Sequence, residues 1–238
     1  MTNQPPTYDA TWDALYAQRR YQYAPWDHVV SFLFRNAPKH KPREDIRILE
    51  LGCGAASNLF FAAQQGFSVY GIDAAATAIL KARERFNDAG LIARLEIGDF
   101  TSLPFAEAYF DLVIDRAAIT CASFDGAKAC TAEVARVITP GGRFFFNPYS
   151  DRSSSAASGK RLDTIGGEIP GGLRADIAEG TLVGVGQIYF YSLSDIAALL
   201  PEYEWKTLEV KHMEWFDLLA PYRDMHAEYR VVVEKKQP

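Results

Sequence analysis

The sequence predicts an α/β fold with a doubly wound, mostly parallel sheet. Three observations carry that prediction. Apolar, strand-like segments alternate with helical patterns over residues 46–149. A glycine-rich turn follows the first of those strands. Of the 238 residues, 48% are hydrophobic, ample for a sheet buried on both faces. "IRILEL" (46–51) is the first expected strand, and "SNLFFAAQQ" after it reads as a short helix closed by Gly66. "FSVYGID" (67–73) is the second, followed by the amphipathic helix "AATAILKARERFNDAG", stopped by Gly90. "IARLEIGD" (92–99) and "FDLVIDRA" (110–117) are the third and fourth. Residues 126–142 carry Ala129, Val134, Val137 and Ile138 near one helical stripe, ended by Pro140 and two glycines. "RFFFNPY" (143–149) is the fifth strand. Right-handed crossovers between such strands put helices on both faces.

The flanks differ. Residues 1–45 read as a helical cap rich in aromatics: Tyr8, Trp12, Tyr16, Tyr21, Tyr23 and Trp26. The four-residue spacing of Tyr8, Trp12 and Tyr16 fits a docking helix, and also a box around an acceptor. Residues 150–190 are rich in serine and glycine, with four basic and five acidic side chains, so they make no clamp for a polyanion. Their composition suggests a mobile lid or a long irregular loop that orders when ligand binds. Residues 191–238 return to order, with a short helix at "SLSDIAALLPEY" and two late strands, "EWKTLEVKH" and "EYRVVVEKK". One domain is expected, its core at 46–149.

A net charge of −5 argues against a nucleic-acid partner, which needs a basic face. Cys53, Cys121 and Cys130 lack metal-like spacing and read as reduced thiols, with no metal site. No run approaches the roughly 20 apolar residues of a membrane span. The N-terminus lacks the form of a signal peptide. A soluble, cytoplasmic protein is expected.

"ILELGCGAAS" (48–57) leaves the first strand where ligands of open α/β sheets bind. No lysine follows for a P-loop, and the last position of a dinucleotide fingerprint is Ser57, so a phosphate ligand is poorly served. Acids are the stronger signal. Glu50 ends the first strand, where a buried carboxylate is costly unless something polar meets it. Asp73 ends the second, where an acid accepts both hydroxyls of a ribose. Asp99 ends the third, beside Phe100, a pairing suited to an exocyclic amine and a ring face. Together they describe a cationic nucleoside carrying an amino acid, S-adenosylmethionine.

These segments resemble the class I (Rossmann-like) S-adenosylmethionine-dependent methyltransferases. "ILELGCGAAS" resembles the family's first motif, [DE]xGxGxG, with Ala56 at the third glycine. "VYGID" resembles the second, "EIGDFTSLPFAEAYFDLVIDRAAI" the third and fourth, and "EVARVITPGGRFFF" the turn into the fifth strand. The similarity spans about residues 46–147 and returns in the last two strands. It implies a seven-stranded sheet closed by a C-terminal antiparallel hairpin. It also implies that Glu50, Gly52 and Gly54 meet the methionine portion, and that Asp73 holds the ribose, flanked by Ile72 or Ala74. Asp99 and Phe100 would meet adenine, with Asp115 and Arg116 beside the methionine tail and the transferred methyl.

The acceptor site is less legible. Asp115, His28, His212 and Tyr149 are the candidate proton acceptors or pocket residues. Arg19 and Arg20 could steer an acidic acceptor, though a solvated face is the simpler reading. The Asn-Pro-Pro-Tyr word of base- and amide-methylating relatives should end the fourth strand, where this chain has "DRAA". A small-molecule O or N acceptor is therefore favoured. Two rivals remain, an NAD-dependent oxidoreductase and a non-catalytic S-adenosylmethionine-binding protein.

Overall fold

The structure, a computed structural model, describes residues 9–18, 22–163, 171–219 and 224–237. Tyr8, Arg19, Arg20 and Tyr21 lie outside the described residues. Seven strands form one sheet: β1 (Arg47–Leu51), β2 (Ser68–Asp73), β3 (Arg94–Ile97), β4 (Phe110–Asp115), β5 (Ile138–Phe146), β10 (Met225–Lys235) and β9 (Trp205–Phe216). Their order is β3-β2-β1-β4-β5-β10-β9. The first five run parallel, and β10 pairs antiparallel with both β5 and β9, the expected closing hairpin. β2 and β4 flank β1 on opposite sides, so the connections reverse direction at the carboxyl end of β1.

Strand periodicity divides the core. Leu49, Leu51, Phe110, Val113, Phe144 and Phe146 face a cluster with α5 (Phe124–Val137) and α7 (Leu193–Leu199). Ile48, Leu112, Ile114 and Phe145 face the opposite cluster, covered by α2 (Asp27–Asn36), α3 (Ser57–Gln64) and α4 (Ala76–Asp88). Glu50 alternates onto this second side and meets α3. Asp111, at the start of β4, is buried but accepts from Lys41 Nζ at 2.5 Å and the Arg47 amide at 3.0 Å. A Ser192–Asp195 capping box starts α7.

The N-terminal helix α1 (Thr11–Ala17) is tied to α4, whose Thr77 amide donates to Asp13 Oδ1 at 3.1 Å. Within 150–190 the structure places short elements among the turns. The described residues there form helix α6 (Ser154–Ser158) and the antiparallel strands β6 (Lys160–Arg161), β7 (Gly172–Ala175) and β8 (Ile188–Phe190). Their apolar residues Ala156, Ile177, Leu182, Ile188 and Phe190 cluster with Cys121, and Trp12 and Tyr149 pack against them. This small core holds the segment against the main sheet.

Phe146 is fully buried between Phe144 and Tyr191. Phe146→Ala is expected to lower unfolding free energy by about 3–5 kcal/mol, read from urea denaturation. A loss under 1 kcal/mol would contradict this packing.

Candidate active site

The turn after β1 is built from left-handed residues. Gly52, Gly54 and Ala56 have φ of +54°, +54° and +55°. A Cβ on Gly52 would collide with the Ala118 side chain, and one on Gly54 with the Tyr16 hydroxyl. Ala56 occupies the third motif position at a conformational cost of about 1–2 kcal/mol for a residue with a Cβ. The turn is locked to β2 by Asp73, whose Oδ2 accepts the Gly54 amide at 2.7 Å and Oδ1 the Ala75 amide at 2.8 Å. A carboxylate has about four lone-pair sites, so Asp73 keeps capacity for further donors. Burial pushes its carboxyl up, against the pull of those two amides.

Glu50 is 3% exposed. Its Oε1 accepts from Asn58 Nδ2 at 2.6 Å, while Oε2 is buried with no hydrogen-bond partner. Burial pushes its carboxyl up to about 8; the Asn58 hydrogen bond opposes this, and the charges of Asp115 and Asp73 add to it. An orphaned buried carboxylate oxygen under a glycine turn suits a cationic donor such as an ammonium.

A cavity opens at this end of the sheet, lined by Gly52, Asp73, Ala74, Phe100, Arg116, Ala117, Ala118 and Cys121, and covered by Asp9, Trp12 and Tyr16. Five of the expected residues therefore meet in one space: Gly52, Asp73, Ala74, Phe100 and Arg116. Ile72 is core. Asp99 is exposed and accepts from the Thr101 amide and hydroxyl, each at 2.8 Å. Asp115 is 0% exposed, and its Oδ1 accepts the Ala118 and Ile119 amides, both at 2.9 Å. Burial pushes it up to about 6 despite those amides. Its visible work is to fix the turn after β4, where Ala117 takes a left-handed φ of +58°.

The histidines lie elsewhere. His28 bonds Asp27 Oδ1 at 3.1 Å and faces Trp26 and Phe145 in a separate cavity with Arg35, Arg143 and Arg230. Burial, then Arg230 and Arg116, hold it below the ordinary imidazole range. His212 bonds Ser150 Oγ at 2.8 Å and packs on Tyr229. Tyr149 is raised by burial, with a hydrogen bond from Arg116 opposing. Sequence reasoning left Asp9 and Ala117 unnoticed. Asp9 carries no motif, yet its Oδ2 accepts the Gln187 amide at 3.1 Å and joins the cap to the 150–190 segment. Left-handed backbone at Ala117 has no sequence signal, because alanine does not announce it.

Glu50 carries a pH signature. Its folded carboxyl, at about 8, lies above the unfolded value of 4.5, so the folded state holds the extra proton. That contribution is present below the unfolded value and is lost as pH rises to about 8. Between pH 6.5 and 8 the wild type is expected to lose stability relative to Glu50→Gln in urea denaturation. Parallel pH dependence of the two proteins would contradict the assignment.

Residues 48–142 match the family model described as a methyltransferase domain. A nocamycin O-methyltransferase from Saccharothrix syringae is 32% identical over 106 residues, 43% of this chain and 37% of that protein. The chain spans about two fifths of the length of the curated relatives it matches. A SAM-dependent methyltransferase structure from Methanosarcina mazei aligns with a TM-score of 0.66 at 18% identity, over 90% of this chain and 100% of that one. Magnesium protoporphyrin IX methyltransferase from Synechocystis PCC 6803, solved with bound SAH, aligns at 0.61 and 16% identity, over 89% and 81%. Among the described residues no helix is long and apolar enough to cross a membrane, and no cluster of three or more His, Cys, Asp or Glu is suited to a metal. Strand order, motif order and the matched model agree: over residues 48–142 the chain is similar to a methyltransferase domain, and its sheet has the fold of the solved methyltransferases above.

Proposed function

We propose that the protein transfers a methyl group from S-adenosylmethionine to an O or N atom of a small molecule. The observation that carries this reading is the pair of strand-end carboxylates, buried Glu50 and half-buried Asp73, on either side of a turn that needs glycine. Glu50, with its orphaned oxygen, would neutralise the methionyl ammonium. Asp73 would accept the ribose hydroxyls on lone pairs left by Gly54 and Ala75. Ala74 and Phe100 would pack on the sugar and base, with Asp99 next to Phe100 in the chain.

When bound, S-adenosylmethionine supplies a methyl group already activated on a sulfonium. The protein's own work is then alignment and exclusion of water. Trp12 and Tyr16 roof the cavity and keep solvent from it. The β4 turn, fixed by Asp115, forms the wall from which the acceptor approaches. Alignment of this kind contributes on the order of 7–11 kcal/mol. No side chain lining the cavity is an evident base: Asp9 and Asp73 are engaged with backbone amides. An acceptor atom that needs little deprotonation fits such a site, and the name of the Saccharothrix relative favours oxygen.

Calorimetry tests the donor site. S-adenosylhomocysteine is expected to bind and NAD is not. Asp73→Ala is expected to weaken S-adenosylhomocysteine binding at least tenfold in protein that stays folded. Tighter binding of NAD, or an unchanged dissociation constant in Asp73→Ala, would overturn the proposal. With an acceptor panel, release of S-adenosylhomocysteine reports turnover.

A further inference from the structure

Beyond the donor site, the described lining of the same cavity carries one cation, Arg116. Arg116, at the end of β4, has a side chain 12% exposed and lines the cavity. Its guanidinium carbon lies over the Trp26 ring, 4.0 Å from the centroid, in cation–π contact. Its Nε is buried without a hydrogen-bond partner. The nearest carboxylate is Glu228, 3.8 Å from Nη2, beyond hydrogen-bond reach. Glu228 is already served: Arg230 Nε donates at 2.8 Å, and His226 Nε2 is 3.7 Å away. Two arginines thus share this acid, and Arg116 also hydrogen-bonds Tyr149, which leaves its Nε–H without an acceptor. Asp73 and Asp9 accept backbone amides, and Trp12, Phe100, Ala117 and Ala118 are apolar.

We infer that Arg116 selects the acceptor, binding a carboxylate on an otherwise apolar small molecule. This rests on the methyltransferase reading above and adds the substrate class to it. A planar guanidinium offers paired donors that match a carboxylate in a fork. Held on Trp26, it gives up little further rotamer freedom on binding. The apolar wall of Trp12, Ala117, Ala118 and Cys121 takes the acceptor's body. Desolvation strengthens the ion pair in such a pocket, so a neutral isostere of the same shape leaves the arginine unpaired and binds less well.

The test uses the full chain saturated with S-adenosylhomocysteine and two probes of matched shape, benzoate and benzamide, titrated by ligand-observed NMR. In the wild type, benzoate is expected to bind at least tenfold more tightly than benzamide. In Arg116→Met the two should bind within twofold of each other, and Arg116→Lys should restore part of the preference. The S-adenosylhomocysteine dissociation constant should stay within threefold of wild type in both variants. Equal binding of the two probes to wild type, or a preference that survives Arg116→Met, would overturn the inference while leaving the donor site intact. A tenfold or greater loss of S-adenosylhomocysteine affinity in both variants would also overturn it, by assigning Arg116 to the methionyl carboxylate. If Arg116→Met does not fold, the wild-type ratio and Arg116→Lys decide. Absence of S-adenosylhomocysteine binding to wild type would sink both readings and is seen separately in the first titration.

Discussion

The hydrogen bond from the Gly54 amide to Asp73 Oδ2, 2.7 Å long, is the constraint around which the site is organised. It ties the turn after β1 to the tip of β2 and fixes the floor of the cavity. The bond can form only because the chain folds back through left-handed residues at 52, 54 and 56. A side chain at either glycine would collide with Ala118 or with Tyr16. The close approach of three elements, the β1 turn, the β4 turn and α1, therefore depends on missing Cβ atoms. Sheet order supplies the rest, because the reversal between β1 and β4 opens a crevice just where that turn stands.

Around this frame the protein buries charge in two different ways. Glu228 is surrounded by cations: burial alone would raise its carboxyl, yet His226, Arg116 and Arg230 hold it down at about 2. Glu50 has no cation in direct contact and sits at about 8, with one oxygen unpaired. Glu228 is thus satisfied by its neighbours, while Glu50 keeps one oxygen without a partner. Arg116 is the mirror case on the positive side. Its charge shares Glu228 with a better-placed arginine, and its Nε–H has no acceptor.

Much of this was legible from the residues. Alternating apolar strands and helices specify a doubly wound sheet, since few other arrangements bury both faces. Acids at the ends of β1 and β2 stand out because carboxylates are expensive inside a core. The short elements of the 150–190 segment left no signal in the residues for a physical reason. Its strands are two to four residues long and bounded by glycine and serine, so no periodicity survives, and packing of Ile177, Leu182, Ile188 and Phe190 together with the strand ladders organises it. Trp12 and Tyr16 were ambiguous because helical spacing serves a core stripe and a pocket roof equally well. His28 and His212 looked eligible by chemistry, and only tertiary placement assigns them to Asp27 and Ser150. Ala117 shows the limit most clearly, for its left-handed backbone is imposed by the turn around Asp115 rather than by its own side chain.

The central claim concerns where a cationic adenosyl ligand sits, and a crystal structure of the full chain grown with S-adenosylhomocysteine tests it most directly. The ribose hydroxyls are expected on the Asp73 carboxylate, with the methionyl ammonium toward Glu50 and the adenine beside Phe100. Density for the ligand elsewhere, or an ammonium paired with neither Glu50 nor the backbone of the β1 turn, would contradict it.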